Sequence, residues 1–307
     1  MTNHQPSNPF HAGEIAVQLR AGVRAEAQRL CSLIRSEVQP AAEEFLSKQS
    51  LAIASTIDAS DRSWASLLIG QPGFVRVLNQ EMVEIQTTPV SGDPLQQNLQ
   101  SNSQIGVLVI DLANRKRLRL NGEAIVQPTG AIVIHLQHVF FNCPKYIQTR
   151  YLETTATAIS QSPQIQIRSG LTQPDRNWIA QADTFFIASA HPDHGADASH
   201  RGGYPGFVQV VDAETLLFPD YAGNNLFQTL GNLTVNPNAG LLFIDFEQGY
   251  TLQLTGQATI LWDAEQMTAF AGAQRLIQFS IQQVLETRNA TSRRWRFGDY
   301  SPANPAV

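Results

Sequence analysis

Along residues 173–260 the chain alternates short β-branched or aromatic runs with clusters of Gly, Pro, Asn and Asp. Thr184–Ala190, Phe207–Asp212, Thr215–Phe218, Gly240–Phe246 and Thr251–Leu261 read as strands. Between the third and fourth of these, Leu226, Phe227, Leu230 and Leu233 recur at helical spacing. That predicts a short helix over Asn225–Val235, stopped by Asn236-Pro237. A second short helix opens near Pro174, since proline is tolerated in a first helical turn. Successive strands with one crossover helix predict a small antiparallel barrel.

The same pattern occurs earlier in the chain. Residues Gln39–Val126 lie over Gln173–Ile260 at an offset of 133 or 134 positions. Ile53-Ala54-Ser55 falls on Ile187-Ala188-Ser189, and Pro72-Gly73-Phe74-Val75 on Pro205-Gly206-Phe207-Val208. Further on, Leu120-Asn121-Gly122 falls on Leu254-Thr255-Gly256. Matches kept in order at a nearly constant offset indicate two homologous domains. Three segments fall outside the copies. Residues 11–37 carry Ile15, Leu19, Val23, Ala27, Leu30 and Ile34 at helical spacing and predict one amphipathic helix. The linker holds an apolar strand, Ala131–Phe141, then a turn-helix over Asn142–Gln148. Asp263–Thr287 reads as a helix on Met267, Phe270, Leu276, Ile277, Ile281, Val284 and Leu285. The expected organisation is a helical segment (1–38), a first barrel with its linker (39–169), a second barrel (170–262) and a C-terminal helix with an arginine-rich tail (263–307). The fold class is mainly β with peripheral helices.

Composition narrows the partners. Charged residues make up 15% of 307 and hydrophobic ones 43%, against about 25% charged in an ordinary globular chain. A net charge of -5 gives no reason to expect nucleic acid or an anionic membrane surface. No apolar run reaches the roughly 18 residues of a membrane span, and the opening MTNHQPSNPFHAGE has no basic start with an apolar core. Two cysteines, Cys31 and Cys143, build no disulfide framework. The expectation is a cytoplasmic protein, and its low charge content suits a subunit interface, such as that of a homodimer.

The copies differ where chemistry could sit. Ser66-Leu67-Leu68-Ile69-Gly70 in the first becomes Ser199-His200-Arg201-Gly202-Gly203 in the second. The glycines allow close backbone approach to a ligand, and Arg201 offers a fork suited to phosphate; a solvated hairpin is the alternative. Pro219-Asp220-Tyr221-Ala222-Gly223-Asn224-Asn225 follows a strand and opens the predicted helix, whose free N–H groups suit an anion or are simply capped by an asparagine. The matching Gln86–Gly92 lacks the Gly-Asn-Asn element. Lys145, after Asn142-Cys143-Pro144, could add a cation. His191, His194 and His200 with Asp193 and Asp197 do not follow a zinc-site spacing, so no metal is expected. There is no GxSxG, HExxH, Walker A loop or GxGxxG. The run Arg115-Lys116-Arg117-Arg119 reads as a solvated hairpin edge, and Arg293-Arg294-Trp295-Arg296 as a docking tail or a phosphate contact.

With these residues in view, the sequence resembles the pyridoxamine 5'-phosphate oxidase-like family of FMN-binding split-barrel flavoproteins, in particular a predicted flavin-nucleotide-binding subgroup with duplicated barrels. The likeness rests on SHRGGYPGFVQV (199–210), FPDYAGNNLFQTLGNL (218–233), NPNAGLLFIDF (236–246), FNCPKYIQ (141–148), RRWRFGDYSPANP (293–305) and FHAGE (10–14). It implies two tandem split barrels with FMN in the cleft where they meet, one site per chain, the first barrel acting as a wall. The residues it points to are Ser199, His200, Arg201, Gly202, Gly203, Phe207, Val208, Asp220, Tyr221, Gly223, Asn224, Asn225 and Lys145. The flavin ring would lie along Pro205–Val208. One departure stands out. Leu226 follows Asn225 where related sequences often carry Arg or Lys, a loss of about 1.5–3 kcal/mol if that cation bonded the phosphate, which predicts weak FMN retention. Three functions follow: an FMN-dependent oxidoreductase of unassigned catalytic residues, with His200 its best titratable group; a non-catalytic electron-transfer module beside a reductase or ferredoxin-type donor; or a haem protein with His200 as axial ligand. Oxidation of pyridoxamine phosphate itself has no second phosphate-binding set to support it.

Overall fold

The computed structural model describes residues 8–87, 90–153 and 162–306. Residues 88 and 89 of the Gln86–Gly92 segment, and the first seven read above for a leader, lie outside them. Three helices lead in: α1 (Ala12–Arg20), α2 (Arg24–Leu30) and α3 (Pro40–Leu46). The first barrel follows as β1 (Leu51–Ile57), β2 (Ser63–Ile69), β3 (Val75–Asn79), β4 (Met82–Ile85), α4 (Leu95–Ser101), β5 (Gln104–Asp111), β6 (Lys116–Val126) and β7 (Ile132–Phe141). After β8 (Arg150–Leu152), β9 (Gln164–Arg168) and α5 (Gln173–Gln181), the second barrel repeats the series. It comprises β10 (Thr184–His191), β11 (Gly195–Gly202), β12 (Gln209–Val210), β13 (Thr215–Tyr221), α6 (Gln228–Val235), β14 (Asn238–Asp245), β15 (Tyr250–Leu261), α7 (Ala264–Met267) and β16 (Ala273–Arg288). A last strand, β17 (Trp295–Phe297), pairs with β8.

The two sheets have one strand order. The first runs β2-β1-β5-β6-β7-β4-β3 and the second β11-β10-β14-β15-β16-β13-β12, with β9 added on β16. Each barrel has its own apolar filling, around Leu68, Ile85, Val107 and Leu120 in one and Phe185, Phe218, Phe243 and Phe279 in the other. A third cluster joins them: Ile53, Leu67 and Leu108 of the first barrel pack on Phe186, Leu242 and Phe246 of the second. The chain holds the barrels this close by omitting side chains. A Cβ on Gly106 of β5 would stand 2.5 Å from the Ala196 carbonyl oxygen of β11, and one on Gly240 of β14 would stand 2.6 Å from the Ser63 oxygen of β2.

Four sequence expectations need correction. Asp263–Thr287 is not a helix: it holds the one-turn α7 and then the long central strand β16, paired with both β15 and β13. Ile277, Phe279 and Ile281 alternate along the strand, but a bulge opposite Thr255/Gly256 sets Val284 three residues on, which mimics helical spacing. The predicted helix over residues 11–37 is broken after Arg20, where Gly22 takes φ +72, and ends in a 3₁₀ turn at Cys31–Leu33. Asn142–Gln148 forms a turn without a helix. Finally, α6 begins at Gln228, because Asn225 and Phe227 both adopt left-handed backbone (φ 62). No helix among the described residues is long and apolar enough to cross a membrane.

Candidate functional site

In a strand, residues two apart share a face. On β11 this puts Asp197, Ser199 and Arg201 on one side, and on β6 of the other barrel it aligns Arg117 with Arg119. The two faces meet. Arg119 is 7% exposed; its guanidinium bonds the Ser199 hydroxyl, donates to Gln228 Oε1 at 2.6 Å and lies 3.2 Å from Asp197. Arg117 donates through Nε to the Cys143 carbonyl at 3.0 Å and through Nη1 to the His200 carbonyl at 3.4 Å. Arg201 donates to that same carbonyl at 3.2 Å and stands 3.8 Å from Asp220, whose other oxygen is 2.9 Å from buried Arg275. The run expected to be a solvated edge therefore supplies two arginines to the seam between the barrels. Sequence reasoning passed over them, although Arg117-x-Arg119 on a strand, like Ser199-x-Arg201, carried the period-two signal.

These groups wall a pocket that Lys145, Tyr146, Tyr221, Gly223, Asn224, Asn225 and Phe227 complete. Its cavity volume is about 90 Å³, and it is open to solvent on one side. Four cations (Arg117, Arg119, Lys145, Arg201) line it against one carboxylate, Asp220. Buried polar atoms there lack protein partners: Nε of Arg119 and of Arg201, Oδ1 of Asn142, and both ring nitrogens of His200. Unsatisfied donors in a net-positive enclosure suit an oxyanion. Burial and the charges of Arg119 and Arg201 pull the Arg117 guanidinium down to about 9, which leaves it protonated at neutral pH. The Tyr221 phenol is pushed up to about 12 by burial and by Tyr146, 5.1 Å away ring to ring.

Ser199, His200, Arg201, Gly202, Phe207, Asp220, Tyr221, Gly223, Asn224, Asn225 and Lys145 all line this pocket. Gly203 and Val208 do not. A Cβ on Gly203 would stand 2.6 Å from the Phe207 ring, so that glycine seats a phenylalanine, as Gly70 does for Phe74; Val208 is 1% exposed in the second barrel's core. Asn224 accepts from the Leu226 amide in a local turn ahead of the helix, and so does not cap α6. Leu226 faces away, buried with Phe10, Ala27 and Phe140 under the N-terminal helices. The cation missing at that position is thus not missing from the pocket. His200 is 3% exposed, with its ring against Phe186, and is held well below its usual pKa by burial and by Arg117, Arg201 and Arg150. It is neutral near pH 7 and so cannot be the titrating group expected of it. The other two histidines of that set lie elsewhere, packed on His11: His191 tilted against it at 4.4 Å and His194 stacked on it at 5.3 Å between ring centres. Among the described residues no group of three or more His, Cys, Asp or Glu side chains is placed to hold a metal ion. The Arg293–Arg296 cluster also stays out of the pocket: Trp295 docks on Phe246, and Arg296 lies over Tyr151.

Residues 171–293 match the family model described as pyridoxamine 5'-phosphate oxidase. No curated protein matches the chain in sequence. Among solved structures, the chain is similar to HupZ of Group A Streptococcus, at 13% identity over 36% of this chain and 89% of that one, with a TM-score of 0.30. It is similar to an FAD binding protein from Mycobacterium smegmatis, at 16% identity over 39% and 98%, TM-score 0.29. A third is a Clostridium acetobutylicum protein related to general stress protein 26 and described as of the pyridoxinephosphate oxidase family, at 10% identity over 39% and 89%, TM-score 0.27.

Proposed function

We propose, from the premise that residues 171–293 form a split barrel of the pyridoxamine 5'-phosphate oxidase family, that this chain binds FMN and serves as an oxidoreductase. The observation that carries the reading is the net-positive pocket at the seam of the two barrels, with buried guanidinium N–H groups that no protein atom satisfies. A cavity volume of about 90 Å³ leaves room for a phosphate group. Arg201 and Arg117 would hold that phosphate from opposite barrels, with Lys145 and Asn224 beside it. A ring system has to lie in the open mouth, among Tyr146, Tyr221, Phe207 and Phe227, and away from Val208. When bound, flavin supplies the hydride and electron chemistry, and the protein contributes placement and hydrogen bonding. The first barrel then serves the site through β6, so one chain builds one cleft. The arrangement at His200 favours no haem, because its ring is enclosed beside that small space.

The test is a titration of the purified chain with FMN and with riboflavin, followed by flavin fluorescence and absorbance. FMN is expected to bind well ahead of riboflavin. Arg201→Ala and Arg117→Ala should each weaken FMN by about 10- to 100-fold, the worth of a charge-assisted hydrogen bond, and leave riboflavin unchanged. Equal binding of the two flavins, or no flavin bound, would end the reading. If FMN binds, oxidation of a reduced pyridine nucleotide by the loaded chain separates an oxidoreductase from an electron-transfer module that needs a reductase partner.

A further inference from the structure

Behind the pocket wall sits a cation that takes no part in lining it. Arg275 of β16 is 1% exposed and stands directly opposite Asp220 across the β13–β16 pair. Its Nε is 2.9 Å from Asp220 Oδ2, the separation of a full charge-assisted contact. Arg201, in the pocket, comes only to 3.8 Å from the other oxygen, Oδ1. The carboxylate is therefore shared unequally, tight to the cation behind it and loose to the cation in front. Arg275 is held in place: its Nη2 donates to Gln274 Oε1 at 2.6 Å, and its guanidinium carbon lies 4.8 Å from the centre of the Phe227 ring and 5.2 Å from that of Trp262. A buried ion pair adds little stability over apolar residues of the same volume, so its consequence for the pocket matters more. Arg201 keeps one bond, to the His200 carbonyl at 3.2 Å, and its Nε has no protein partner. An Asp220 not drawn from behind would close on Arg201 and occupy the guanidinium that an oxyanion needs.

We infer that Arg275 is a positioning residue for the arginine pocket: it draws the Asp220 carboxylate back and keeps Arg201 open to an incoming anion. The inference rests on the reading of that pocket as a phosphate site and names what keeps its cation available. Its test is a calorimetric titration of the full chain with inorganic phosphate, FMN and riboflavin. Arg275→Met should weaken phosphate and FMN about tenfold, the worth of one charge-assisted hydrogen bond, and leave riboflavin unchanged. In an Asp220→Asn background the same change should cost less than about twofold, since the carboxylate through which it acts is gone. Arg275→Lys, which keeps a cation without the fork, guards against misfolding: it should lose about two- to threefold beside Asp220 and nothing in the Asp220→Asn background. Phosphate bound equally by Arg275→Met and the unchanged chain, or weakened by the same factor with and without Asp220, would overturn the inference alone. An unchanged chain that takes up neither phosphate nor FMN would overturn it together with the phosphate reading.

Discussion

The two barrels contain the same crossing twice and finish it differently. In the second, Arg119 reaches across from β6 to Ser199 on β11 and leaves its Nε unpartnered beside the pocket. At the corresponding place in the first, Gln253 reaches across from β15 toward Ser66 on β2, and a carboxylate sits between them. Asp93 accepts from the Ser66 hydroxyl at 2.7 Å, from Gln253 Nε2 at 2.9 Å and from the Leu95 amide at 2.9 Å. Leu68, which stands where Arg201 does, is fully buried in its own barrel. So each crossing has a carboxylate, Asp93 in the first barrel and Asp197 in the second, but the second leaves the Nε of Arg119 without a partner beside the pocket.

That contrast gives three measurements. The largest effect is expected from Arg119→Ala, which strands Asp197 in the interior and should cost about 3–5 kcal/mol in urea unfolding. Gln253→Ala at the mirror position should cost only about 1–2 kcal/mol, because Asp93 keeps two of its three donors. Equal costs would mean that the crossings are interchangeable. Next comes Leu226→Arg, which introduces the cation that the sequence resemblance leads one to expect at that position. Since Leu226 is packed under the N-terminal helices, the change should destabilise the chain by about 2–4 kcal/mol without tightening FMN. A tighter FMN complex would place that residue in the pocket after all.

The smallest effect is a pH dependence. Burial raises the Asp93 carboxyl to about 6, above its unfolded value of about 3.9. Between those values the folded chain holds a proton that the unfolded chain has released, so Asp93 favours folding below about pH 4 and loses that contribution as pH rises through about 6. The loss, on the order of 2 kcal/mol, should vanish in Asp93→Asn. Melting temperatures of both proteins from pH 4 to 7 check it: parallel curves would show that Asp93 ionises freely.

Much of this was legible in the residues. Alternating apolar runs bounded by Gly and Pro give the strands of both barrels, and the change from Ser66–Gly70 to Ser199–Gly203 marks which barrel carries the pocket. The polar half of the wall from the second barrel reads directly, because β11 and the Gly223–Asn225 loop are continuous segments. The arginines from the first barrel did not read, because Arg115–Arg119 looks like a solvent edge until a second barrel is laid over it. Gly203 and Val208 misled for a related reason: a glycine beside a phenylalanine serves packing as well as it serves a ligand. In β16 a bulge shifted the apolar phase by one residue, and a period-two strand took on the spacing of a helix.

By itself, then, the sequence determined local matters: where strands start and stop, and which of two matching segments carries polar chemistry. Those follow from side-chain periodicity and backbone freedom, which act over a few residues. Only the tertiary structure decided which charges meet, that Arg119 finds Ser199 eighty positions away and that Asp93 bridges Ser66 and Gln253 at the opposite crossing. The energy of a buried charge depends on what surrounds it in space, and neighbours in space are set by how the two sheets pack.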